Sequence, residues 1–177
     1  MSELLIRPAK RADLARVTEI YNYYVLNTPV TFDIESYATE RREAWFVQFG
    51  QTGRYRLLVA EQDGVLTGYA GSTRFRPKAA YDTTVETTVY CAPEAVGKGI
   101  GTRLYDELFK VLRGEDIHRF LAVYALPNAA TDALHRRFGF KVVGVFSENG
   151  RKFGKYWDVC WADKGGVKPV AVILRAL

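Results

Sequence analysis

Apolar and polar positions along the chain follow two periods, which together predict its secondary structure. A helical stripe with spacings of three and four residues runs from Leu14 to Val25, directly after Asp13, a residue suited to cap a helix. The same pattern predicts further helices over 39–49, 97–112 and 128–138. Segments rich in β-branched and aromatic residues predict strands over 4–7, 55–61, 65–76, 83–91, 118–125, 140–146 and 155–161.

The connections between these elements predict a mixed sheet. Asp63-Gly64 is typical of a tight hairpin between antiparallel strands. The strand, helix and strand over 83–125 form one βαβ unit, which requires a parallel pair. We therefore expect a single domain over 1–177, of α/β class with a mixed (α+β) sheet and helices on both faces. Residues 163–177 follow the last predicted strand as a C-terminal extension to which the sequence assigns no role.

Composition and charge narrow the class of protein. Of 177 residues 48% are hydrophobic and 25% charged, which excludes an intrinsically disordered chain. No apolar run is long enough to span a bilayer, and the first residues are too charged for a signal peptide, so we expect a cytoplasmic protein that binds no membrane. Two cysteines and two histidines predict neither a disulfide framework nor a metal site. The net charge of +5 is spread along the chain, which disfavours a nucleic-acid partner.

The segment with the clearest chemistry is Gly97-Lys98-Gly99-Ile100-Gly101-Thr102, at the start of a predicted helix. Glycines there leave the first-turn N–H groups open to an anion, which the helix dipole also favours. A P-loop would require a GxxxxGK[ST] pattern, which is absent. A dinucleotide fold would place its glycines after the first strand with a different spacing. The segment therefore predicts a phosphate or pyrophosphate site, with a ligand-free glycine turn as the alternative.

This segment resembles the acetyl-CoA motif of the GCN5-related N-acetyltransferases (GNAT), in which a Gln or Arg precedes the glycines. The resemblance extends over Ile6-Arg7-Pro8-Ala9 near the start, Asn128, and the Gly139-Phe140 pair. It implies the GNAT acyl-CoA N-acyltransferase fold, with a mostly antiparallel sheet and one parallel pair, and acetyl-CoA as acetyl donor. Val96 departs from the family pattern, which implies at most a weaker affinity for the cofactor.

Five further stretches resemble one branch of the family, the phosphinothricin and methionine sulfone/sulfoximine acetyltransferases. These are FRP at 75–77, VETTVY at 85–90, LPN at 126–128, LHRRFGF at 134–140 and KFGKYWD at 152–158. The branch implies direct transfer of an acetyl group, in a ternary complex, to the α-amine of a small amino acid or analogue. It also implies a homodimer, with Phe153 and Trp157 as interface aromatics.

The resemblance assigns Glu86 as the general base that removes a proton from the acceptor ammonium, because only a neutral amine attacks a thioester. The alternative is a structural strand acid. His135 takes the position of a proton donor to the departing thiolate, with simple packing or a CoA contact as an equal alternative. The cofactor residues implied by the family are Val89, Tyr90, Cys91, Val96, Gly97, Lys98, Gly99, Ile100, Gly101, Thr102 and Asn128. Asn128 could also simply cap the following helix.

Acceptor binding is expected from the loop after the first helix and from the third and fourth strands. The candidates are Phe32, Arg74, Phe75, Arg76, Pro77, Val85 and Thr87, with Tyr81 a weaker one. Arginine suits the carboxylate that an amino acid brings, although Arg74 could be a surface charge. Another amine acceptor (a polyamine, an aminoglycoside or a protein N-terminus) or a catalytically silent CoA-binding module are the alternatives. Two arginines in the pocket argue against a polyamine.

Overall fold

The computed structural model describes residues 4–166, which contain seven strands and four α-helices. The strands are β1 (Leu4–Pro8), β2 (Leu57–Gln62), β3 (Val65–Arg74), β4 (Thr84–Cys91), β5 (Arg119–Ala125), β6 (Lys141–Lys152) and β7 (Lys155–Gly165). The helices are α1 (Leu14–Asn27), α2 (Thr39–Phe46), α3 (Ile100–Val111) and α4 (Ala129–Arg137). Each predicted element is thus present in its predicted order, which confirms the coarse reading of the pattern.

The strands form one mixed sheet in the order β1-β2-β3-β4-β5-β7-β6. Only the β4–β5 pair is parallel among the ladders of the described residues, as the βαβ prediction requires. That parallel ladder is short, since it pairs 84–86 of β4 with 119–121 of β5 and then stops. The β3–β4 ladder continues to Cys91, so β4 separates from β5 while remaining attached to β3.

Helices cover both faces of the sheet, as predicted. On one face Gly101 of α3 lies against the side chains of Val89 and Cys91. On the other, Tyr21 and Tyr24 of α1 pack their rings against Tyr90. Because successive strand residues point to opposite faces, odd-numbered β4 residues face α3 and even-numbered ones face α1. We call these the α3 face and, after its acidic residue, the Glu86 face.

Helix α3 begins three residues later than the hydrophobic pattern predicts. Gly97 and Gly99 have φ angles of +80° and +76°, in the left-handed region that cannot continue a right-handed helix. Behind this start, Leu104, Tyr105 and Leu108 are completely buried against the sheet. The glycine segment is therefore a loop that precedes a well-anchored helix.

The last hairpin is longer than predicted. Its strands extend to Lys152 and Gly165, around a tight turn at Phe153-Gly154, where both φ angles are positive. Gly150, which falls between the two predicted strands, lies within β6, where the register slips between Phe146 and Gly150. The predicted extension from 163 therefore begins inside β7, and its residues 167–177 lie outside the described part of the chain. Within residues 4–166 no helix is both long and apolar enough to cross a bilayer.

Candidate active site

The separation of β4 from β5 opens a wedge in the middle of the sheet. Beyond Glu86, no described strand pairs with the edge of β4 that faces β5. The Thr87 hydroxyl donates to the Leu121 carbonyl at 3.1 Å and closes the narrow end. Unpaired strand edges bind extended ligands by main-chain hydrogen bonds, so the wedge suits a linear group carrying amides.

The glycine loop lies at the open end of this wedge. A Cβ on Gly101 would contact the side chains of Val89 and Cys91 at 3.7 Å, so the start of α3 touches β4. No atom lies within 4 Å of a Cβ built on Gly97 or Gly99, which leaves the loop surface open. The Arg103 N–H makes the first helical bond, to the Gly99 carbonyl at 3.2 Å, so the N–H groups of 100–102 are not used by the helix. We call residues 97–102 the glycine cradle, and its free N–H groups suit a pyrophosphate.

Two residues flank the cradle. Val96, where the family usually has Gln or Arg, is 59% exposed and contributes no charge. Lys98 is exposed within the loop and provides a mobile positive charge. The electrostatic attraction for an anion therefore rests on the backbone and Lys98.

Asn128 lies on the far side of the wedge, just after β5. Its side-chain oxygen accepts the Thr131 N–H at 3.1 Å and caps α4, as the capping alternative requires. Its amide nitrogen has no hydrogen-bond partner among residues 4–166. The cap therefore leaves a donor free for a ligand, and the two expected roles are compatible.

Glu86 lies beside the wedge on the face opposite α3. Its side chain is half-buried, and none of the described residues gives it a hydrogen bond or an ion pair. Burial therefore raises the pKa of the Glu86 carboxyl above its ordinary value. A structural strand acid would be expected to have a cationic or hydrogen-bonding partner, and this one has neither within 4–166.

The surroundings of His135 do not suit a protonated acid. Its Nδ1 lies 2.8 Å from the Thr131 carbonyl and therefore carries a hydrogen, and its Nε2 accepts from the Tyr105 hydroxyl at 3.1 Å. Burial lowers the pKa of His135, which is only 5% exposed. The ring is therefore neutral and fully bonded, and it lies on the α3 face, opposite Glu86. The geometry favours the packing alternative. No sequence pattern indicated that Tyr105 is the hydrogen-bond partner of His135.

The predicted acceptor residues divide between the two faces. Arg74 pairs with Val85 across the β3–β4 ladder, so it points to the α3 face, where Asp82 binds its guanidinium at 2.9 Å. Val85 and Thr87 point the same way and are buried in the core. All three side chains therefore lie on the face opposite Glu86, and their role in acceptor binding stays a prediction.

The remaining acceptor candidates do lie towards the Glu86 face. Thr73 pairs with Glu86, and Phe75 follows it by two residues. The Arg76 guanidinium stacks over the Phe75 and Tyr81 rings at 5.0 and 5.9 Å and has no carboxylate partner among the described residues. Pro77 is exposed in the same loop. Arg76 thus remains available for a ligand carboxylate.

Phe32 is held by the last hairpin, a contact that the sequence did not predict. A Cβ on Gly150 would lie 2.3 Å from the Phe32 ring, so the ring rests directly on the β6 backbone. The Lys152 ammonium, 4% exposed, donates to the Thr31 carbonyl at 2.7 Å. Glycine at position 150 is the only local indication of this packing.

Arg42 is another residue of this region that no sequence pattern indicated. Its guanidinium lies over the rings of Trp45 at 3.8 Å and Tyr21 at 4.6 Å. It is buried, and its Nε has no hydrogen-bond partner within residues 4–166. Arg42 thus joins α2 to the aromatic cluster beneath the loop that carries Phe32.

Comparisons with known proteins agree with this geometry. The sequence profile of the acetyltransferase (GNAT) domain matches residues 6–161. A phosphinothricin N-acetyltransferase of Streptomyces coelicolor is 48% identical, covering 92% of this chain and 96% of that protein. An L-methionine sulfoximine/L-methionine sulfone acetyltransferase of Salmonella typhimurium is 37% identical, covering 88% and 91%.

The fold is shared with solved structures. The yncA protein of Salmonella typhimurium, solved with its cofactor acetyl-CoA, superposes with a TM-score of 0.89 at 35% identity, covering 96% of this chain and 98% of that one. The open glycine cradle and the wedge described above fit that cofactor. No three acidic, cysteine or histidine side chains are grouped as a metal site within 4–166. The chain belongs to the GNAT acetyltransferase family and is an acetyl-CoA-dependent N-acetyltransferase.

Proposed function

We propose that the acceptor is the α-amine of a small amino acid or analogue, of the kind represented by phosphinothricin, methionine sulfone and methionine sulfoximine. The names of the relatives at 48% and 37% identity support this class. The observation that carries the proposal is the half-buried, unpaired Glu86 carboxylate beside the wedge. It provides a base at the place where an amine would approach the acetyl group.

Glu86 removes a proton from the acceptor ammonium, directly or through one water molecule. Its raised pKa makes it a better base than an exposed carboxylate near neutral pH. Acetyl-CoA supplies the activated acetyl group. The glycine-loop N–H groups hold its pyrophosphate, and the free β4 edge and the Asn128 amide bind its extended arm. Val89, Tyr90 and Cys91 contact the acetyl group and the arm through their backbone, and a backbone N–H on the free edge stabilises the charge that develops on the carbonyl oxygen.

Arg76 binds the acceptor carboxylate. Of the two predicted arginines, Arg74 is occupied by Asp82, whereas Arg76 lies over Phe75 on the side of Glu86. A guanidinium there selects an anionic amino acid over a polyamine. Phe32, fixed on Gly150, provides an apolar wall.

The enzyme acts as a cytoplasmic homodimer in this proposal. The exposed edge of the sheet supports a second copy, because unpaired apolar edges are usually covered. The large hydrophobic side chains exposed on the last hairpin are Val142, Val143, Val145, Phe146, Phe153 and Tyr156. Sedimentation equilibrium of the wild type should give twice the chain mass, and a monomer at micromolar concentration would contradict this part.

The test is release of free CoA thiol from acetyl-CoA with a panel of acceptors. Methionine sulfone, methionine sulfoximine and phosphinothricin should be acetylated, and spermidine should not. Arg76→Gln should raise the KM of these acceptors about tenfold or more while leaving the KM of acetyl-CoA unchanged. Silence across the amino-acid panel together with normal acetyl-CoA binding would reject the acceptor class and leave the enzyme class intact.

A further inference from the structure

Trp161 carries a buried hydrogen-bond donor that no residue in the described part of the chain accepts. Its indole Nε1 has no partner within residues 4–166. Trp157, four residues earlier on the same strand, donates its Nε1–H to the Lys152 carbonyl at 3.0 Å. Buried indole N–H groups normally find such a partner, so the unsatisfied one requires an explanation.

The sheet register places Trp161 on the Glu86 face. Glu86 pairs with Leu121 of β5, and Leu121 pairs with Asp163 of β7. Trp161 lies two residues from Asp163 without an intervening bulge, so its side chain shares that face. It pairs with Val123, beyond the last β4–β5 pair, and therefore lies beside the wedge.

Aromatic rings cover the indole from two directions. Phe75, from the end of β3, lies 6.2 Å from the Trp161 ring, and Phe146 of β6 lies 5.8 Å from it. Because β4 and β5 separate β3 from β7, Phe75 must extend across them to make this contact. The segment 76–81 that follows Phe75 is exposed throughout, and its Arg76 and Tyr81 side chains pack on the Phe75 ring.

We propose that the Trp161 indole N–H donates a hydrogen bond to an oxygen on the side chain of the acceptor, and so determines specificity. The inference rests on the proposed function above, since sulfone, sulfoximine and phosphinate groups all carry such an oxygen. The acceptor displaces the Phe75 ring and takes its place against the indole. An oxygen-free side chain would leave the donor buried and unpaired, and sites of this kind reject such analogues.

Trp161→Phe tests the proposal because it keeps an aromatic ring and removes the N–H. Methionine sulfone and methionine form a matched pair of acceptors that differ only by the two sulfonyl oxygens. The variant should lose about tenfold in kcat/KM for methionine sulfone, through KM, and little for methionine. Trp157→Phe is the matched control: it removes an N–H that already has an internal partner, and it should not change the ratio between the two acceptors.

The indole resonances give an independent readout. In a 15N-labelled sample with CoA bound, the Trp161 indole proton, assigned by its loss in Trp161→Phe, should move downfield when methionine sulfone is added. The Trp157 resonance should move much less. Together with a collapsed selectivity ratio, this result would support the proposal.

The outcomes separate the two proposals. Wild-type enzyme that acetylates no amino-acid analogue would overturn the proposed acceptor class and this inference with it. If the wild type is active, two results would each overturn this inference alone. One is a Trp161→Phe variant with the selectivity of the wild type, and the other is a Trp161 resonance that does not move. In that case the variant should only be more stable, as expected when an unsatisfied buried donor is removed.

Discussion

On the α3 face of β4, the Thr87, Tyr105 and His135 side chains are joined to each other and to backbone carbonyls, with each polar atom bonded. On the opposite face, two buried groups have no hydrogen-bond partner within residues 4–166, the Arg42 Nε and the Trp161 Nε1, and the half-buried Glu86 carboxylate has none either. The two faces belong to the same strands, and helices pack on both of them. The difference indicates that one face is built for stability, and that the other keeps its polar groups available for a ligand.

Glu86→Gln should have the largest effect on activity, and its effect on stability should have the opposite sign. Loss of the base lowers kcat by about 10²- to 10⁴-fold while the dissociation constant of acetyl-CoA stays unchanged. Burial raises the pKa of Glu86, so the carboxyl favours folding below its unfolded pKa and opposes it as the pH rises. The variant should therefore have a higher free energy of unfolding at pH 7.

The control for this prediction is Glu40→Gln, which removes an exposed acid in the first turn of α2. Steady-state kinetics and urea unfolding of both variants provide the comparison. A Glu86→Gln enzyme that keeps wild-type turnover would reject the base assignment and remove the main functional difference between the faces.

Gly150→Ala should damage only the Glu86 face. The new methyl group would collide with the Phe32 ring, and overpacking of this kind costs roughly 1–3 kcal/mol. Displacement of Phe32 should raise the KM of the acceptor about tenfold and leave the KM of acetyl-CoA unchanged. Gly144→Ala, in the same strand with no atom within 4 Å of the new methyl, is the matched control. An equal effect of the two variants on the acceptor KM would argue against Phe32 as a pocket wall.

His135→Gln should affect the α3 face alone. The Tyr105 hydroxyl loses its His135 acceptor in a buried site and keeps only the long 3.5 Å contact with Thr87 Oγ1, which should lower the free energy of unfolding by about 1–3 kcal/mol at pH 8, with kcat within a few-fold of wild type. Burial lowers the pKa of His135, so its contribution is complete above the unfolded value near 6.5 and is lost as the pH falls. Wild type should therefore lose stability below pH 6.5 more steeply than the variant, as chemical unfolding across pH would show. A large fall in kcat would restore His135 as the proton donor.

Val96→Arg should produce the smallest effect, a modest gain in acetyl-CoA affinity, because Val96 lies on neither face of the sheet. A charge beside the start of α3 should strengthen anion binding by about 0.3–1 kcal/mol, which lowers the dissociation constant of acetyl-CoA up to about fivefold. Isothermal titration at two salt concentrations measures the effect, which should shrink at high salt. An unchanged affinity at low salt would mean that the family's basic residue at this position is not required here.

Local patterns predicted the elements and the glycine loop at the start of α3, because each depends on neighbouring residues, whereas Glu86 was assigned by the family resemblance. Val85 and Thr87 lie on the face opposite Glu86, as the two-residue period of a strand already indicates. The orientation of Arg74 required the β3–β4 register, which extends over the whole hairpin. The His135–Tyr105 bond and the position of Trp161 depend on pairings between strands distant in the chain, so no local pattern indicates them.

The short β4–β5 ladder divides the sheet into two plates, with four strands on one side and three on the other, joined along three residue pairs. An extended molecule that hydrogen-bonds along the free β4 edge would extend this seam. A ligand bound in the wedge should therefore also hold the two parts of the sheet together. The two plates should open apart more readily in the empty enzyme, and saturating acetyl-CoA should slow hydrogen exchange of backbone amides on either side of the seam, including those far from the acetyl group.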